Sequence, residues 1–298
     1  MWRSILILAP AAVIMGAWPA PTSASVLTAG YWRMGEDDPH ATPPNPCDPI
    51  TFDHTGVYDL TLQGSQTTNT ATYSADVAPA AALHTGSRVS VLFSNPTIHD
   101  TAFFQWAPPN PILPATTTDF GIEAWVKTST LTPPNPIHVA AMVYNGDPFA
   151  NNGYGLFQEG GNYVGVINGN QIVGSVAAST GTWLHLALVT QHFPQTDFNG
   201  AFDETTFYVD GTAVGSVSAQ PNPLSGHFSI GDVAPGDIPF NGNIDEVRLF
   251  TFADGQFSPS DLLINQPSPI PEPAGLTLLG IGGAALAGYA WRRRGRAA

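Results

Sequence analysis

Thirty glycines and 28 prolines are spread through 298 residues, and between them no segment reads as a long amphipathic helix. What lies between these breakers is a series of short runs rich in Val, Ile, Thr, Tyr and Phe, residues that fit a pleated, half-buried surface. The run "IHVAAMVYNG" (137–146) is one. The segment "YGLFQEGGNYVGVING" (154–169) predicts a hairpin about Gly160-Gly161. A second hairpin is predicted in "TFYVDGTAVGSV" (206–217), because Asp210-Gly211 supplies two residues that tolerate positive φ in a type I′ turn. Many short strands at this spacing predict an all-β chain folded as an antiparallel two-sheet jelly-roll sandwich. The helix signal comes late. Ser258-Pro259-Ser260-Asp261 has the form of a capping box, and Phe257 and Leu262 are placed for a hydrophobic staple, which predicts one or two turns.

Charge narrows the range of partners. Residues 26–270 hold 22 acidic and four basic residues (Arg33, Arg88, Lys127, Arg248), an excess of 18 negative charges. Such a surface repels phosphate backbones, so nucleic acid is excluded as a partner, and divalent cations or neutral glycans fit better.

The two ends read differently from the middle. Met1–Ser4 carries Arg3, Ile5–Trp18 is apolar, and small residues follow, so residues 1–24 read as a secretory signal peptide cut after Ala24. At the other end, residues 274–291 carry no charge. A helix of that length covers about 27 Å, enough to span a hydrocarbon core. Arg292, Arg293 and Arg294 follow at once and set the cytoplasmic stop, which places the preceding domain outside. Pro271-Glu272-Pro273, the apolar span and the terminal arginines together resemble the PEP-CTERM protein-sorting domain over residues 269–296. The resemblance implies recognition by an exosortase, transient anchoring in the inner membrane, and passage to the cell surface or extracellular matrix of a Gram-negative, exopolysaccharide-making bacterium.

Five segments in order also resemble the laminin-G-like family of the concanavalin A-like superfamily: "AGYWRMGE" (29–36), "DFGIEAWVK" (119–127), "GTWLHLALV" (181–189), "FYVDGTAVGS" (207–216) and "FNGNIDEVRLF" (240–250). This assigns residues 26–266 to one jelly-roll domain. Within it, Trp32, Trp125 and Trp183 are expected to fill the core between the sheets, and His185 to be a structural histidine.

Asp245 stands out. Period-two alternation puts it on one face with Val247 and Leu249, so a carboxylate is expected on an apolar face and needs compensation. Related jelly-roll families hold a structural calcium at this place with oxygens near the first strand. The resemblance therefore implies Asp245 and Glu36 as candidate ligands. The other readings are a salt bridge to Arg33 or a set of backbone N–H donors. "DFNGAFDE" (197–204) is a second acidic stretch, read as a solvated loop, and "GDPFANNGYG" (146–155) is a polar loop that could shape a ligand rim.

Nothing here reads as catalytic. Glycoside hydrolases of this fold usually carry E-x-D-x-x-E on one strand, and no such run occurs. Neither G-x-S-x-G nor H-E-x-x-H is present. The single Cys47 has no intrachain partner and reads as a loop thiol, free to pair between chains. The expected function is a secreted, non-catalytic module that binds carbohydrate or extracellular matrix. A structural exopolysaccharide-matrix component without a specific ligand is the alternative, and a glycoside hydrolase the third reading.

Overall fold

The computed structural model describes residues 26–266 except 65, 107–110, 196–199, 222–226 and 234–237. The expected signal peptide, the sorting tripeptide Pro271–Pro273, the span 274–291 and the arginines at 292–294 lie outside the described residues. Among the described residues, no helix is long and apolar enough to cross a membrane.

The strands are β1 (Leu27–Trp32), β2 (Ile50–Thr51), β3 (Leu60–Gln63), β4 (Thr70–Ser74), β5 (Ser90–Ser94), β6 (Phe103–Trp106), β7 (Phe120–Thr128) and β8 (Val139–Asn145). They continue as β9 (Tyr154–Glu159), β10 (Asn162–Ile167), β11 (Gln171–Ala177), β12 (Leu184–Phe193), β13 (Phe202–Val209), β14 (Thr212–Val217), β15 (Phe228–Ile230) and β16 (Gly242–Thr251). One antiparallel sheet runs β14-β13-β12-β7-β16-β5-β4, with β1 also pairing with β16. The other runs β11-β10-β9-β8-β15-β6-β3-β2. This is the two-sheet sandwich expected from the strand pattern, and both hairpins form where expected. Asp210 and Gly211 turn the second with φ of 48° and 76°.

Alternation along β7 shows how the layers are built. Phe120, Ile122, Ala124 and Val126 enter the main core between the sheets. Glu123 and Trp125 point the other way, yet both are buried, because the outer face of this sheet is itself covered. Phe252, Phe257 and Leu262 of the C-terminal segment pack there on Ala187, Tyr208 and Phe250. The expected capping box is present at Ser258 and Asp261, on a 3-10 turn. A helix with no sequence forecast, α1 (Pro79–His84), covers the rest of that face. It lacks a side-chain N-cap; what holds it is Ala78 and Ala81 packing against Trp125 and Leu263.

Two tryptophan expectations are therefore corrected. Trp32 does lie between the sheets, stacked on Phe228 at 4.4 Å, with its N–H donating to the Tyr58 carbonyl. Trp125 sits instead on the outer face under α1. Trp183 joins the same outer cluster, its N–H donating to Asp76 and its ring facing Lys127. Strand parity decides this: Trp125 is one residue out of phase with Ile122, Ala124 and Val126. Cys47 is corrected too. It is buried in the main core, and burial pushes its thiol well above the ordinary value, so it is neither nucleophilic nor free to pair between chains.

The two sheets converge where β11 meets β14, and both strands carry the tetrapeptide Val-Gly-Ser-Val. Gly174 and Gly215 are the contact. A Cβ added at Gly215 would lie 2.6 Å from the Val173 carbonyl oxygen and 2.9 Å from the Gly174 Cα. Backbone cannot yield cheaply, so Gly215→Val is expected to cost about 1–3 kcal/mol in a urea melt. Unchanged stability would mean that the sheets part freely at this edge.

Candidate functional site

The first candidate lies where β16 changes neighbours. Its first half pairs with β5 and its second half with β1. Against β7 the register slips between Asp245 and Arg248, and Glu246 takes up the slack with φ of 51°. Glutamate does not favour this left-handed region, and such outliers collect at functional sites. The bulge resets the alternation. Ile244, Val247 and Leu249 enter the main core, while Asp245 pairs across from Trp125 on the other face. The expectation that Asp245 shares the face of Val247 and Leu249 is thus overturned.

The bulge brings three carboxylates together. Glu36, from the turn after β1, meets Asp245 and Glu246 with ligand oxygens all within 4.8 Å of one another. Asp245 accepts the Ser87 hydroxyl at 2.9 Å and a backbone N–H from Ala78. Glu246 accepts the Tyr31 hydroxyl and the Thr85 hydroxyl. Arg33 pairs with Glu246 at 3.5 Å, not with Asp245. Glu36 Oε1 accepts the Val89 N–H at 2.8 Å, while its buried Oε2 has no partner among the described residues. Burial first, and then the crowding of like charges, pushes the Asp245 carboxyl well above its ordinary value. Burial likewise raises Glu246 to about 7, against the pull of Tyr31 and Arg33. An open cleft lined by Arg33, Glu36, Thr85 and Arg88 gives access. Fully ionised, the three carboxylates with Arg33 beside Glu246 would carry a charge of −2, which one divalent cation would match. The orphaned Glu36 oxygen and the all-oxygen donor set suit calcium. Sequence reasoning named Asp245 and Glu36 but not Glu246, whose role depends on a bulge that no periodicity announces.

A second buried charge group lies farther along the same outer face. Glu123 is fully buried and pairs with Arg248 and with His185 Nε2 at 2.8 Å. It also accepts the Leu263 N–H at 2.9 Å, while Arg248 donates to the Asp261 carbonyl at 2.6 Å. Burial opposes ionisation of Glu123, but Arg248 and His185 hold its carboxyl below the ordinary value. His185 Nδ1 has no partner among the described residues. This group clamps the C-terminal segment onto the sheet.

The third feature is a pocket of about 450 Å³ at one end of the sandwich. Thr116, Thr117 and Thr118 line it with Asp119, Asp254 and Tyr58, over apolar Ile112 and Leu113. Asp119 begins just before β7 and Asp254 follows β16, so antiparallel pairing of these strands sets the two carboxyls side by side. They share a hydrogen bond, and Asp119 also accepts the His192 N–H at 2.9 Å. Burial raises the Asp119 carboxyl, and the bond to Asp254 adds to this. Of the acidic stretch 197–204, Asp203 bonds His192 Nδ1 at 2.7 Å, while Asp197 and Asn199 lie outside the described residues. Sequence reasoning assigned none of these residues to a ligand site, because they come from segments far apart in the chain.

A profile of the concanavalin A-like lectin/glucanases superfamily (Laminin_G_3) matches residues 101–254. The PEP-CTERM protein-sorting motif matches residues 269–294. No curated protein matches the chain significantly. Among solved structures, the chain is similar to domain 4 of AbnA, a GH43 extracellular arabinanase from Geobacillus stearothermophilus, in complex with arabinotriose. The TM-score is 0.50 at 17% identity, over 81% of this chain and 98% of that one. Trypanosoma rangeli sialidase in complex with the inhibitor DANA gives 0.45 at 11% identity, over 79% of this chain and 32% of that one. The binding domain of botulinum neurotoxin serotype D gives 0.46 at 12% identity, over 80% and 49%. At 17% identity the likeness to the arabinanase domain shows the fold alone.

Proposed function

Because the chain belongs to the concanavalin A-like lectin/glucanases superfamily, whose profile covers more than half of it, we propose that it is a secreted, non-catalytic module that binds glycans. The end pocket carries this reading. Its threonine hydroxyls and carboxylates can accept and donate to sugar hydroxyls, while the Tyr58 ring and the Ile112–Leu113 floor suit the C–H face of a sugar ring. The excess of 18 negative charges favours a neutral ligand. The neighbouring arabinanase domain, solved with arabinotriose, is in keeping with a small neutral oligosaccharide. Asp119 and Asp254 touch each other, whereas a hydrolytic pair stands about 5–9 Å apart, which supports binding over catalysis. Glycan arrays followed by calorimetry test the assignment. Asp254 is exposed, so Asp254→Ala should weaken a hit roughly 10–100-fold without unfolding the domain, as losing a charged hydrogen bond does. If a folded protein retains no glycan, the alternative of a structural matrix component takes its place.

Glu36, Asp245 and Glu246 would hold a structural calcium ion, which would neutralise three crowded carboxylates and tie the first strand to the last. The PEP-CTERM motif implies export to the cell envelope or surface. In this reading an exosortase recognises Pro271, Glu272 and Pro273 while the apolar span holds the chain in the inner membrane. Changing all three to alanine should trap the protein in the membrane fraction with its domain folded, since the apolar length is unchanged. Normal release of that variant into the medium would reduce the tripeptide to a linker.

A further inference from the structure

The outer face of the second sheet holds a groove of about 320 Å³ that shares no residue with the end pocket. Phe157 and Val166 form its floor. Ile137, Phe149 and Ile172 rise around it, 62%, 54% and 45% exposed, so three large apolar side chains gather at one place. Isolated exposed apolar residues are ordinary, but a cluster around a built groove marks an interaction site.

The groove is preformed. Phe149 lies on a single 3-10 turn, Pro148–Ala150, that the Asp147 side chain caps through the N–H groups of Phe149 and Ala150. Tyr144 pins this loop from below, donating its hydroxyl to the Asn152 carbonyl at 2.6 Å and accepting the Gly169 N–H at 3.2 Å. The polar segment 146–155 therefore shapes a rim, as its sequence suggested, but what it presents there is an aromatic ring.

Part of this apolar face already has a cover. Val233 and Ile238 pack on Tyr144, Phe157 and Val166, and the Ile238 carbonyl accepts the Ala141 N–H at 2.8 Å. Ile238 also closes one end of the groove. The chain thus shows what fits this face: an aliphatic side chain on a polypeptide that hydrogen-bonds through its own backbone. Beyond Ile238 no other described residue covers the trough.

Charge selects among occupants. Among the described residues, Glu159 is the one charged residue lining the groove, and its side chain makes no hydrogen bond or ion pair with any of them. A second copy of this chain would bring another strongly acidic surface against it. A basic residue beside the anchor would instead be attracted. The described chain also begins and ends on the far side: Val26 packs on the outer face of the first sheet, and the Gln266 carbonyl bonds His84 of α1. This face is thus turned away from both ends of the described chain.

We propose that this groove docks an extended segment of a partner protein that carries a bulky aliphatic or aromatic side chain next to a lysine or arginine. The test is panning of a phage-displayed random dodecapeptide library on the immobilised full-length protein in mild detergent, followed by fluorescence titration of the synthetic hits. Hits should share an apolar anchor flanked by a basic residue. Phe149→Ala and Ile172→Thr should each weaken them about tenfold or more, as truncating an anchor contact does. Glu159→Lys should weaken the basic hits and spare versions with a neutral flank. All three positions are exposed or partly exposed, and unchanged melting temperatures will show that the variants are folded. The proposal falls if no consensus emerges, if the consensus is acidic, or if the hits ignore Phe149→Ala and Ile172→Thr. It falls equally if sedimentation reveals a dimer that Phe149→Ala breaks, or if phosphatidylcholine vesicles bind through the groove, since another copy or a lipid would then be the occupant.

Discussion

Glu123→Ala should lower the melting temperature of the domain by roughly 10 °C, the largest single-residue effect expected here. The change removes the shared partner of Arg248 and His185 and of the Leu263 N–H. Breaking a buried charge group at one member costs about 3–5 kcal/mol, because the remaining charge is left desolvated and uncompensated. A kilocalorie shifts the midpoint of a domain of this size by about 2–4 °C. The dependence on pH has a definite sign. The folded Glu123 carboxyl lies below its ordinary value, so its contribution is present above the unfolded value and is lost as pH falls through the folded one. The triple variant Glu123→Leu, His185→Leu, Arg248→Met should recover much of the loss, since it orphans only the Leu263 N–H, while the Asp261 carbonyl keeps the Gln266 side-chain amide as a donor. If Glu123→Ala melts like the wild type, water reaches this face and the clamp on the C-terminal segment is not a buried one.

Calcium removal should give the other large change. With the ion at a hundredfold excess over Kd, binding adds about 2.7 kcal/mol to folding, so chelation should lower the melting temperature by roughly 5–10 °C. Asp245→Asn should erase that response while keeping an oxygen of the same shape in place. The pH profile supplies an independent check. Without a cation, the folded Glu246 carboxyl titrates near 7, above its ordinary 4.5. Its contribution is then full below the unfolded value and is lost as pH rises to about 7, a fall of about 3 kcal/mol at 1.36 kcal/mol per unit. Buried Asp245 shifts in the same direction and steepens the fall. Calcium held there would favour the ionised carboxylates, so adding it should flatten the decline and make it disappear near neutral pH. Equal melting curves in calcium and in chelator, from pH 5 to pH 8, would overturn the calcium assignment and leave protons as the compensation.

The sequence by itself determined the strands and their turns. Period-two alternation and local turn chemistry are properties of neighbours in the chain, so Asp210-Gly211 and Ser258–Asp261 could be read before any contact was known. The ordered motifs likewise carried the family and the sorting tag. The tertiary structure decided everything that depends on which face a residue takes and what covers it. Trp125 and Glu123 looked like members of a core strand and an isolated acid. They lie on the outer face, buried by α1 and the C-terminal segment, whose packing is long-range and leaves no mark on periodicity. One left-handed residue, Glu246, shifted the parity of β16 and turned Asp245 away from the apolar face it was expected to share. The end pocket arises from segments distant in sequence and exists only once the strands have paired. The groove comes almost wholly from residues 137–172, and its 146–155 rim was legible, but which apolar side chains stand on the outer face of the sheet was not.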